Sequence, residues 1–365
     1  MGDATPPKEH ILILLPLPPN QELLNGIKKK HPGVTITYHV LEFKVEFGGE
    51  PHKIPDEDFL ETTILVTLGV FPSNVKLLKN VKLIHLFSAG ADKLADTPVW
   101  EETTIPITNS SGVHGPQISE WVILQMLANN HKQKLLLEWQ KKHYWGKHAE
   151  VGWVRDYVGQ RLGVLGYGAI GRQTARVSKA LGMDVIAYTA SPRKTPESKR
   201  DNGYIVPGTG DEEGLIPSAW YSGLDKASLH NFLGQDIDVL LIAVPLTPQT
   251  QHFLGKEEFE ILGKKNAFIV NIARGPIIKT EDLIAAVKKP AKEGGLRGAA
   301  LDVTEPEPLP EDSELWDVEN IAVTPHVSGM GDTYADRAFA ILDINLTNLE
   351  QGKPLINVVS RKKGY

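Results

Sequence analysis

Short apolar runs rich in β-branched residues recur along the first third of the chain, separated by polar stretches that are long enough for a helix. These runs predict strands over His10–Leu15, Val34–His39, Thr63–Leu68, Val81–Phe87 and Ile105–Asn109. Strands that alternate with helical stretches favour a parallel sheet in an α/β domain.

The spacing of apolar residues becomes helical from Gly115 to Tyr144. No proline interrupts this segment after Pro116, and a helix tolerates a proline in its first turn. The pattern therefore predicts one helix of about 30 residues, which is long for a globular core. We expect this helix to connect two domains or to lie in a subunit interface.

A second series of apolar strands follows the long helix. It is predicted over Arg161–Leu165, Asp184–Thr189, Val239–Val244, Ala267–Ile272, Arg297–Val303 and Asn320–Thr324. Nearly continuous apolar runs are typical of strands covered on both faces, and six of them match a doubly wound dinucleotide-binding fold. The segment Ala190–Gln235, rich in Gly, Pro and Ser, interrupts the series, so we expect a functional loop or an insertion with small elements of its own.

A last helix is predicted over Asp332–Gln351, after the second strand series is complete, and we expect it to cross back onto the first domain. A length of 365 residues favours two domains over one. The chain is therefore predicted to form two Rossmann-like, doubly wound α/β domains. One comprises residues 1–114 completed by 331–365, and the other comprises residues 115–330.

The composition excludes several classes of function. With a net charge of -6, the chain has no excess of positive charge that would favour binding to nucleic acid or to an anionic membrane. The absence of cysteine removes disulfides, thiolate zinc sites and cysteine nucleophiles, and it fits a reducing compartment. The apolar run near the N-terminus is too short for a signal sequence or a membrane span. We therefore expect a cytoplasmic protein without nucleic-acid or membrane partners.

A Gly-x-Gly-x-x-Gly motif follows the strand that ends at Leu165 and precedes a helix predicted over Arg172–Leu181. Gly166 permits a tight turn, Gly168 lets the backbone approach a pyrophosphate, and Gly171 allows close packing of helix on strand. The helix N-terminus adds free N–H groups and a positive dipole for the phosphates. The predicted dinucleotide contacts of this turn are Gly166, Gly168, Ala169, Ile170 and Gly171.

The end of the following strand lacks the carboxylate that would bind the ribose 2′-hydroxyl of NAD. That place holds Thr189, Ser191, Arg193 and Lys194. Asp184 stands at the start of the strand and Asp201 lies too far into the next segment. Hydroxyl and cationic side chains suit a 2′-phosphate, so we predict that NADP(H) is preferred, with NAD(H) as the alternative cofactor.

Polar groups end three strands of the second series, at the edge where open α/β sheets bind ligands. They include Arg274, an acidic segment with Asp302, Glu305 and Glu307, and His326. A guanidinium can hold a carboxylate and polarise a keto oxygen, and a histidine can donate a proton to that oxygen. A carboxylate on the other ring nitrogen would fix the tautomer. Reduction of a 2-keto acid requires this combination of groups.

These motifs resemble the D-isomer-specific 2-hydroxyacid dehydrogenase family, which includes glyoxylate/hydroxypyruvate reductases and phosphoglycerate dehydrogenases. The resemblance extends from Phe87–Asp92 through the glycine motif to His326. It implies a flavodoxin-like substrate domain beside the dinucleotide-binding domain, with the active site in the cleft between them. It further implies NAD(P)H-dependent reduction of a small 2-keto acid to the D-2-hydroxy acid, by a homodimer built through the long helix.

The resemblance also assigns roles to single residues. Arg274 would bind the carboxylate and the carbonyl, His326 would be the acid/base, and Glu307 would orient it, because the family's acid lies five residues after the aspartate at Asp302. The backbone amides of Ala89 and Gly90 would hold the substrate carboxylate, together with Arg274 and His326. Asp302 would bond the nicotinamide carboxamide. Further cofactor contacts are implied at Val244, Pro245, Thr250, Ile272, Ala273 and Gly329.

Four features depart from the family pattern. The acid after the second strand is absent, Ala190–Gln235 is longer than the family core needs, and the histidine motif reads His-Val-Ser-Gly-Met instead of His-Ile-Gly-Ser/Ala. His114 precedes Gly-Pro where an Asn-rich turn is expected, and it could either enter the helix or contact substrate. These differences leave the identity of the 2-keto acid open.

One alternative function lies in another class: a nucleotide-sensing interaction protein similar to the dehydrogenase-like corepressors, with little turnover. Such proteins can keep the same three site residues, so turnover must discriminate. Formate dehydrogenase would carry glutamine in place of Glu307. A short-chain dehydrogenase would need a Tyr-x-x-x-Lys pair, which neither Tyr144 nor Tyr221 provides. No His/Asp/Glu cluster in the sequence indicates a metal.

Overall fold

The computed structural model of the 365-residue chain describes residues 9–42, 54–91, 94 and 97–361. The chain forms two compact units, Met1–Val113 with Asp332–Tyr365 and His114–Gly331. No helix within the described ranges is long and apolar enough to cross a membrane. Asp92, part of the family motif at residues 87–92, lies outside the described residues.

The first unit is built on one parallel sheet. Its strands are β1 (Glu9–Leu15), β2 (Val34–Val40), β3 (Ile64–Thr67), β4 (Leu83–Leu86) and β5 (Ile107–Asn109), in the order β2-β1-β3-β4-β5. Its helices are α1 (Gln21–Lys30), α2 (Asp56–Glu61), α3 (Pro98–Glu102) and the C-terminal helix (Tyr334–Glu350). The strand order is that of flavodoxin-like folds.

Both faces of this sheet are covered, as the continuous apolar strands predict. Ile11, Ile13 and Leu15 pack on one side, in a cluster that includes residues of α1 and of the C-terminal helix. Leu12 and Leu14 pack on the other side with residues of α2 and α3. Side chains alternate along a strand, so a strand buried on both faces needs an apolar residue at every position.

The second unit is built on a parallel sheet of seven strands. They are β6 (Arg161–Leu165), β7 (Asp184–Thr189), β8 (Ala219–Ser222), β9 (Val239–Ile242), β10 (Phe268–Asn271), β11 (Gly298–Leu301) and β12 (Ile321–Val323), in the order β12-β11-β10-β9-β6-β7-β8. The helices are α4 (Gly115–Asn130), α5 (Gln133–Lys141), α6 (His148–Val151), α7 (Ala169–Ala180), α8 (Pro196–Lys199), α9 (Lys226–Leu233), α10 (Lys256–Gly263) and α11 (Thr280–Lys288). Short 3₁₀ helices lie at Val75–Leu78 in the first unit and at Gly275–Ile277, Ala291–Glu293 and Glu314–Trp316 in the second.

The chain reverses direction across the sheet between β6 and β9, which places the glycine motif at the switch point of a dinucleotide-binding topology. The predicted set of six strands is incomplete, because β8 is a seventh strand inside Ala190–Gln235. This strand has four residues, stands at the sheet edge and is only half-buried. A strand so short and so little buried has no continuous apolar run to reveal it.

The prediction of one helix over Gly115–Tyr144 is wrong. The segment forms α4 and α5, which are separated at His131 and Lys132. Lys132 adopts a left-handed backbone conformation with φ 54° and ψ 37°. A single left-handed residue breaks the run of helical hydrogen bonds, although the spacing of apolar residues continues across the break.

The Ala190–Gln235 segment is anchored to α7, which follows the glycine motif. The guanidinium of the buried Arg172 donates to the carbonyl oxygens of Asp211 (2.5 Å) and Lys199 (2.6 Å). Tyr167 donates to the Asp211 carboxylate at 2.7 Å. The segment is therefore an ordered insertion fixed on the glycine motif and on the first turn of α7.

Candidate active site

The glycine turn joins β6 to α7 and requires its glycines for different reasons. Gly166 has a φ of +104°, and a Cβ there would lie 2.5 Å from the carbonyl of Ala243. A Cβ on Gly171 would lie 2.4 Å from the carbonyl oxygen of Gly166. Ala169 and Ile170 form the first helical turn. The turn therefore has the shape that the motif predicts.

Gly168 provides the test of whether a dinucleotide fits this turn. A Cβ at Gly168 would have no described heavy atom within 4 Å, so open space lies in front of the helix. Gly168 is also the N-cap of α7, and no described side chain caps this end. Free N–H groups facing open space at a helix N-terminus suit a pyrophosphate.

The structure pairs both aspartates considered near β7 with arginines. Asp184 accepts from Arg161 at 2.8 Å, and Asp201 lies 3.4 Å from the guanidinium of Arg172. Thr189 donates to the carbonyl of Ser191 at 2.8 Å. The turn at the strand end therefore presents hydroxyl groups and the exposed side chains of Arg193 and Lys194.

The other predicted cofactor residues lie at the ends of β9, β10 and β12. Thr250 closes the loop after β9 by donating to the carbonyl of Pro245 at 2.7 Å, with Val244 half-buried beside it. Ile272 and Ala273 are buried where β10 ends. Gly329 lies beside His114, whose ring carbon would be 3.1 Å from a Cβ on that glycine. His114 itself is the N-cap residue of α4.

Arg274 leaves β10 through a turn that two contacts define. Asn271 donates its side-chain amide to the carbonyl of Arg274 at 3.0 Å and accepts from the N–H of Ala273 at 3.0 Å. A Cβ on Gly275 would lie 1.9 Å from the carbonyl oxygen of Thr304. Only glycine allows this approach, which brings the arginine turn against the acidic segment after β11.

The acidic segment pairs two histidines with two glutamates. His326 Nδ1 lies 2.7 Å from Glu307 Oε1, and both side chains are about half exposed. Glu305 pairs instead with His252, at 3.0 Å. The structure thus brings Glu307, and not Glu305, to the predicted acid/base. A carboxylate on Nδ1 orients the ring and leaves Nε2 for proton transfer.

Asp302 follows β11 and is 1 % exposed. Its carboxylate accepts hydrogen bonds from the segment Thr324–Ser328 that carries His326. Its carbonyl oxygen accepts from the N–H of His326 at 2.8 Å. Ser328 was not predicted as a site residue from the sequence, although a serine in place of the family's glycine was a sign that could have identified it.

Ala89 and Gly90 follow β4 in the first unit. Asn109 donates to the carbonyl of Ala89 and Ser88 donates to the carbonyl of Gly90, each at 2.8 Å. Asn109 was not singled out from the sequence. Its position at the end of β5, beside the end of β4, was the sign that could have identified it.

Among the described residues, the possible ligand atoms of one group lie close enough together to hold a metal ion: His230, Glu257 and Glu258. The Glu258 carboxylate already accepts from Lys226 at 2.8 Å, from His230 at 2.6 Å and from the N–H of Gly255 at 2.8 Å. The lysine supplies the positive charge that an ion would bring, so we assign no metal to this cluster.

Comparison with known proteins identifies the family. Residues 123–207 and 215–328 match the D-isomer specific 2-hydroxyacid dehydrogenase, NAD binding domain. A glyoxylate reductase of Thermofilum pendens is 30% identical over 253 residues, covering 68% of this chain and 66% of that protein. A glyoxylate reductase of Thermococcus litoralis is 27% identical over 346 residues, covering 92% of this chain and 94% of that protein.

A solved structure with the same fold is the NADPH-dependent glyoxylate/hydroxypyruvate reductase of Sinorhizobium meliloti in complex with NADP and sulfate. It has a TM-score of 0.72 and 24% sequence identity, covering 98% of this chain and 100% of that chain. The predicted α/β fold class with two doubly wound domains is confirmed. The chain therefore belongs to the D-isomer-specific 2-hydroxyacid dehydrogenase family, and it is an oxidoreductase of that family.

Proposed function

We propose that this protein catalyses NADPH-dependent reduction of a small 2-keto acid to the D-2-hydroxy acid. The observation that carries the proposal is the 2.7 Å contact between His326 Nδ1 and Glu307 Oε1, at the sheet edge that also carries Arg274. Related proteins named glyoxylate reductase support the substrate class. The D-configuration rests on family membership.

Each site group has a defined task in this mechanism. Arg274 binds the substrate carboxylate and polarises the keto oxygen, which favours charge development on that oxygen. His326, oriented by Glu307 through its Nδ1, donates a proton from Nε2 to the oxygen as the carbonyl carbon accepts a hydride. The nicotinamide supplies that hydride when it is bound. Ala89 and Gly90 contribute backbone N–H groups to the substrate carboxylate.

The cofactor would be held by the glycine turn and by the strand ends described above. The open space at Gly168 and the uncapped start of α7 support pyrophosphate binding there. Val244, Pro245, Thr250, Ile272, Ala273 and Gly329 would contact the rest of the dinucleotide.

The reaction is tested by following NADPH oxidation with glyoxylate, hydroxypyruvate, pyruvate and branched or aromatic 2-keto acids. With the best substrate, His326→Ala should lower kcat by about 10²–10⁴-fold, because general acid catalysis contributes that much. Arg274→Ala should lower kcat/KM by about 100-fold, since a charged carboxylate contact is lost. Binding of NADPH should change little in either variant.

His131→Ala, on an exposed histidine at the end of α4, is the matched control and should keep wild-type rates. Full activity in His326→Ala would refute the proposed acid/base. NADPH binding without turnover of any keto acid would favour the alternative, a nucleotide-sensing interaction protein.

We further propose a preference for NADP(H) over NAD(H). It is supported by the lack of an unpaired carboxylate at the end of β7 within the described residues, and by the exposed cations Arg193 and Lys194. The ratio of kcat/KM for NADPH to that for NADH should exceed one. It should fall about tenfold in Arg193→Ala/Lys194→Ala, which removes two contacts to the 2′-phosphate. A wild-type preference for NADH would overturn this assignment.

A homodimer is also part of the proposal, because α5 has no buried residue in the isolated chain. The aromatic side chains of Trp145 and Trp153, which follow it, are fully exposed. A second copy would cover this surface. A cytoplasmic location stays a prediction of the sequence.

A further inference from the structure

The carboxylate of Asp302 is surrounded by hydrogen-bond donors from one short segment. Oδ1 accepts from the hydroxyl of Thr324 at 2.5 Å and from the N–H of Val327 at 2.9 Å. Oδ2 accepts from the N–H of Ser328 at 3.0 Å and also from the hydroxyl of the same serine. Asp302 and Ser328 are both buried.

These four donors occupy all the hydrogen-bond acceptor sites of the Asp302 carboxylate. An ionised carboxylate has about four lone-pair sites on its two oxygens. Binding a carboxamide N–H would therefore require one of the four present donors to leave. The N–H groups of Val327 and Ser328 belong to the backbone and cannot leave without moving the loop. Of the side-chain donors, Ser328 stands where the family motif has glycine.

The same loop holds His326 in an uncommon backbone conformation. His326 has a φ of 54°, a left-handed value that is unfavourable for a residue with a Cβ. Its N–H donates to the Asp302 carbonyl at 2.8 Å. Bonds from Asp302 to residues 324, 326, 327 and 328 thus fix the backbone on both sides of the histidine.

We propose that the Ser328 hydroxyl fills the Asp302 site that would otherwise accept the nicotinamide carboxamide. Asp302 is then a positioning residue for His326 and not a contact of the cofactor. The family resemblance implies that Asp302 binds the nicotinamide carboxamide. The four hydrogen bonds that its carboxylate already accepts support the positioning of His326 instead. This inference rests on the proposed use of a nicotinamide cofactor and of His326.

The test measures Kd values, by fluorescence titration without substrate, for NADPH and for its 3-acetylpyridine analogue, which has no carboxamide N–H. If Asp302 does not contact the carboxamide, Asp302→Asn changes both Kd values by the same factor, within about twofold. Ser328→Ala frees one lone pair. The carboxamide of NADPH should then donate a hydrogen bond to Asp302. The ratio of the analogue's Kd to the Kd of NADPH should therefore rise at least about threefold over that of the wild type.

A second measurement separates positioning from a general structural role. Asp302→Asn should lower kcat by about 100-fold with little change in KM, because the histidine and not substrate binding is disturbed. Ser328→Ala removes one of the four hydrogen bonds to the carboxylate and keeps both backbone donors, so it should lower kcat by less than Asp302→Asn does. Ser111→Ala, on an exposed serine, is the control for substitution itself.

Two results would overturn the inference. One is an Asp302→Asn substitution, with Ser328 in place, that changes the Kd of NADPH by a factor at least ten times different from the factor by which it changes the Kd of the analogue. The other is a Ser328→Ala protein that discriminates the two cofactors no better than wild type does. If the wild type binds neither cofactor, the proposed function itself has failed. If it binds both without turnover, the Kd comparison still decides the role of Asp302.

Discussion

Two histidines with left-handed backbones face the two glutamates of the segment after β11. His326 has a φ of 54° and His252 a φ of 48°, and each ring lies within 3.0 Å of a glutamate oxygen. Strained conformations of this kind persist only where surrounding contacts enforce them. The orientation of His326 therefore depends on its neighbours, and we expect substitutions of those neighbours to affect catalysis more than stability.

His85 on β4 should make the first unit sensitive to acid. It is fully buried, with Nδ1 3.0 Å from the hydroxyl of Thr108, and burial lowers the pKa of its imidazole from 6.5 to about 4. The unfolded chain therefore binds more protons than the folded one between these values. Stability should fall as the pH drops from 6.5 to 4, by about 3 kcal/mol at most.

Hydrogen exchange of β4 and β5 amides at pH 7 and pH 4.5 measures this loss. His85→Gln removes the titrating group and should reduce the difference between the two pH values, whereas the exposed His131→Gln should behave as wild type. An equal loss of protection in wild type and His85→Gln would show that another group is responsible.

At the scale of elements, the break between α4 and α5 depends on one residue. Because Lys132 has φ 54°, replacing it with glycine should relieve strain and stabilise the protein by about 1 kcal/mol, net of the added entropy of the unfolded chain. Urea unfolding gives the change in free energy. Lys134→Gly, inside α5, should have the opposite sign and destabilise by about 1 kcal/mol. Equal effects of the two substitutions would contradict the observed break.

The insertion on α7 depends on the buried Arg172. Arg172→Met would leave the carbonyls of Asp211 and Lys199 without their donors and should cost about 2–4 kcal/mol. Limited proteolysis should then cut first within residues 196–215. Arg176→Met is the matched control, because Arg176 is exposed on the same helix and makes one weaker contact, 3.3 Å to the carbonyl of Gly210. Unchanged protease resistance of Arg172→Met would argue against the anchor.

At the scale of the whole molecule, the proposed dimer predicts a change of mass. Trp145 and Trp153 are 97% and 102% exposed. Replacing both with alanine should shift the sedimentation of micromolar protein from dimer to monomer, because aromatic anchors dominate interface energies. Leu215→Ala removes an apolar group that is also exposed, but lies in the insertion, and should leave the dimer intact. A wild-type monomer, or a dimer in the double variant, would refute this interface.

Several features of this protein could be predicted from local sequence alone. The continuous apolar runs of β1, β6 and β9 identify buried parallel strands, because both faces of such strands are covered. The glycines at Gly166 and Gly171 identify the dinucleotide turn, because a Cβ cannot be accommodated there. The polar groups at strand ends follow from the same pattern, since the carboxyl ends of parallel strands meet at one edge.

Other features depend on contacts between residues far apart in the chain, and the tertiary structure alone decided them. The family resemblance implies Glu307 as the partner of His326, whereas the pairing of Glu305 with His252 was not predicted, because it requires loops from two strand ends to meet. The spacing of apolar residues continues across the break at Lys132, and the half-buried β8 has no continuous apolar run, so the local pattern reveals neither feature. The four hydrogen bonds that fill the acceptor sites of the Asp302 carboxylate depend on the path of residues 324–328. Apolar periodicity records which side chains are buried, whereas the partner of a polar side chain is selected only when the folded backbone brings donors and acceptors within hydrogen-bond distance.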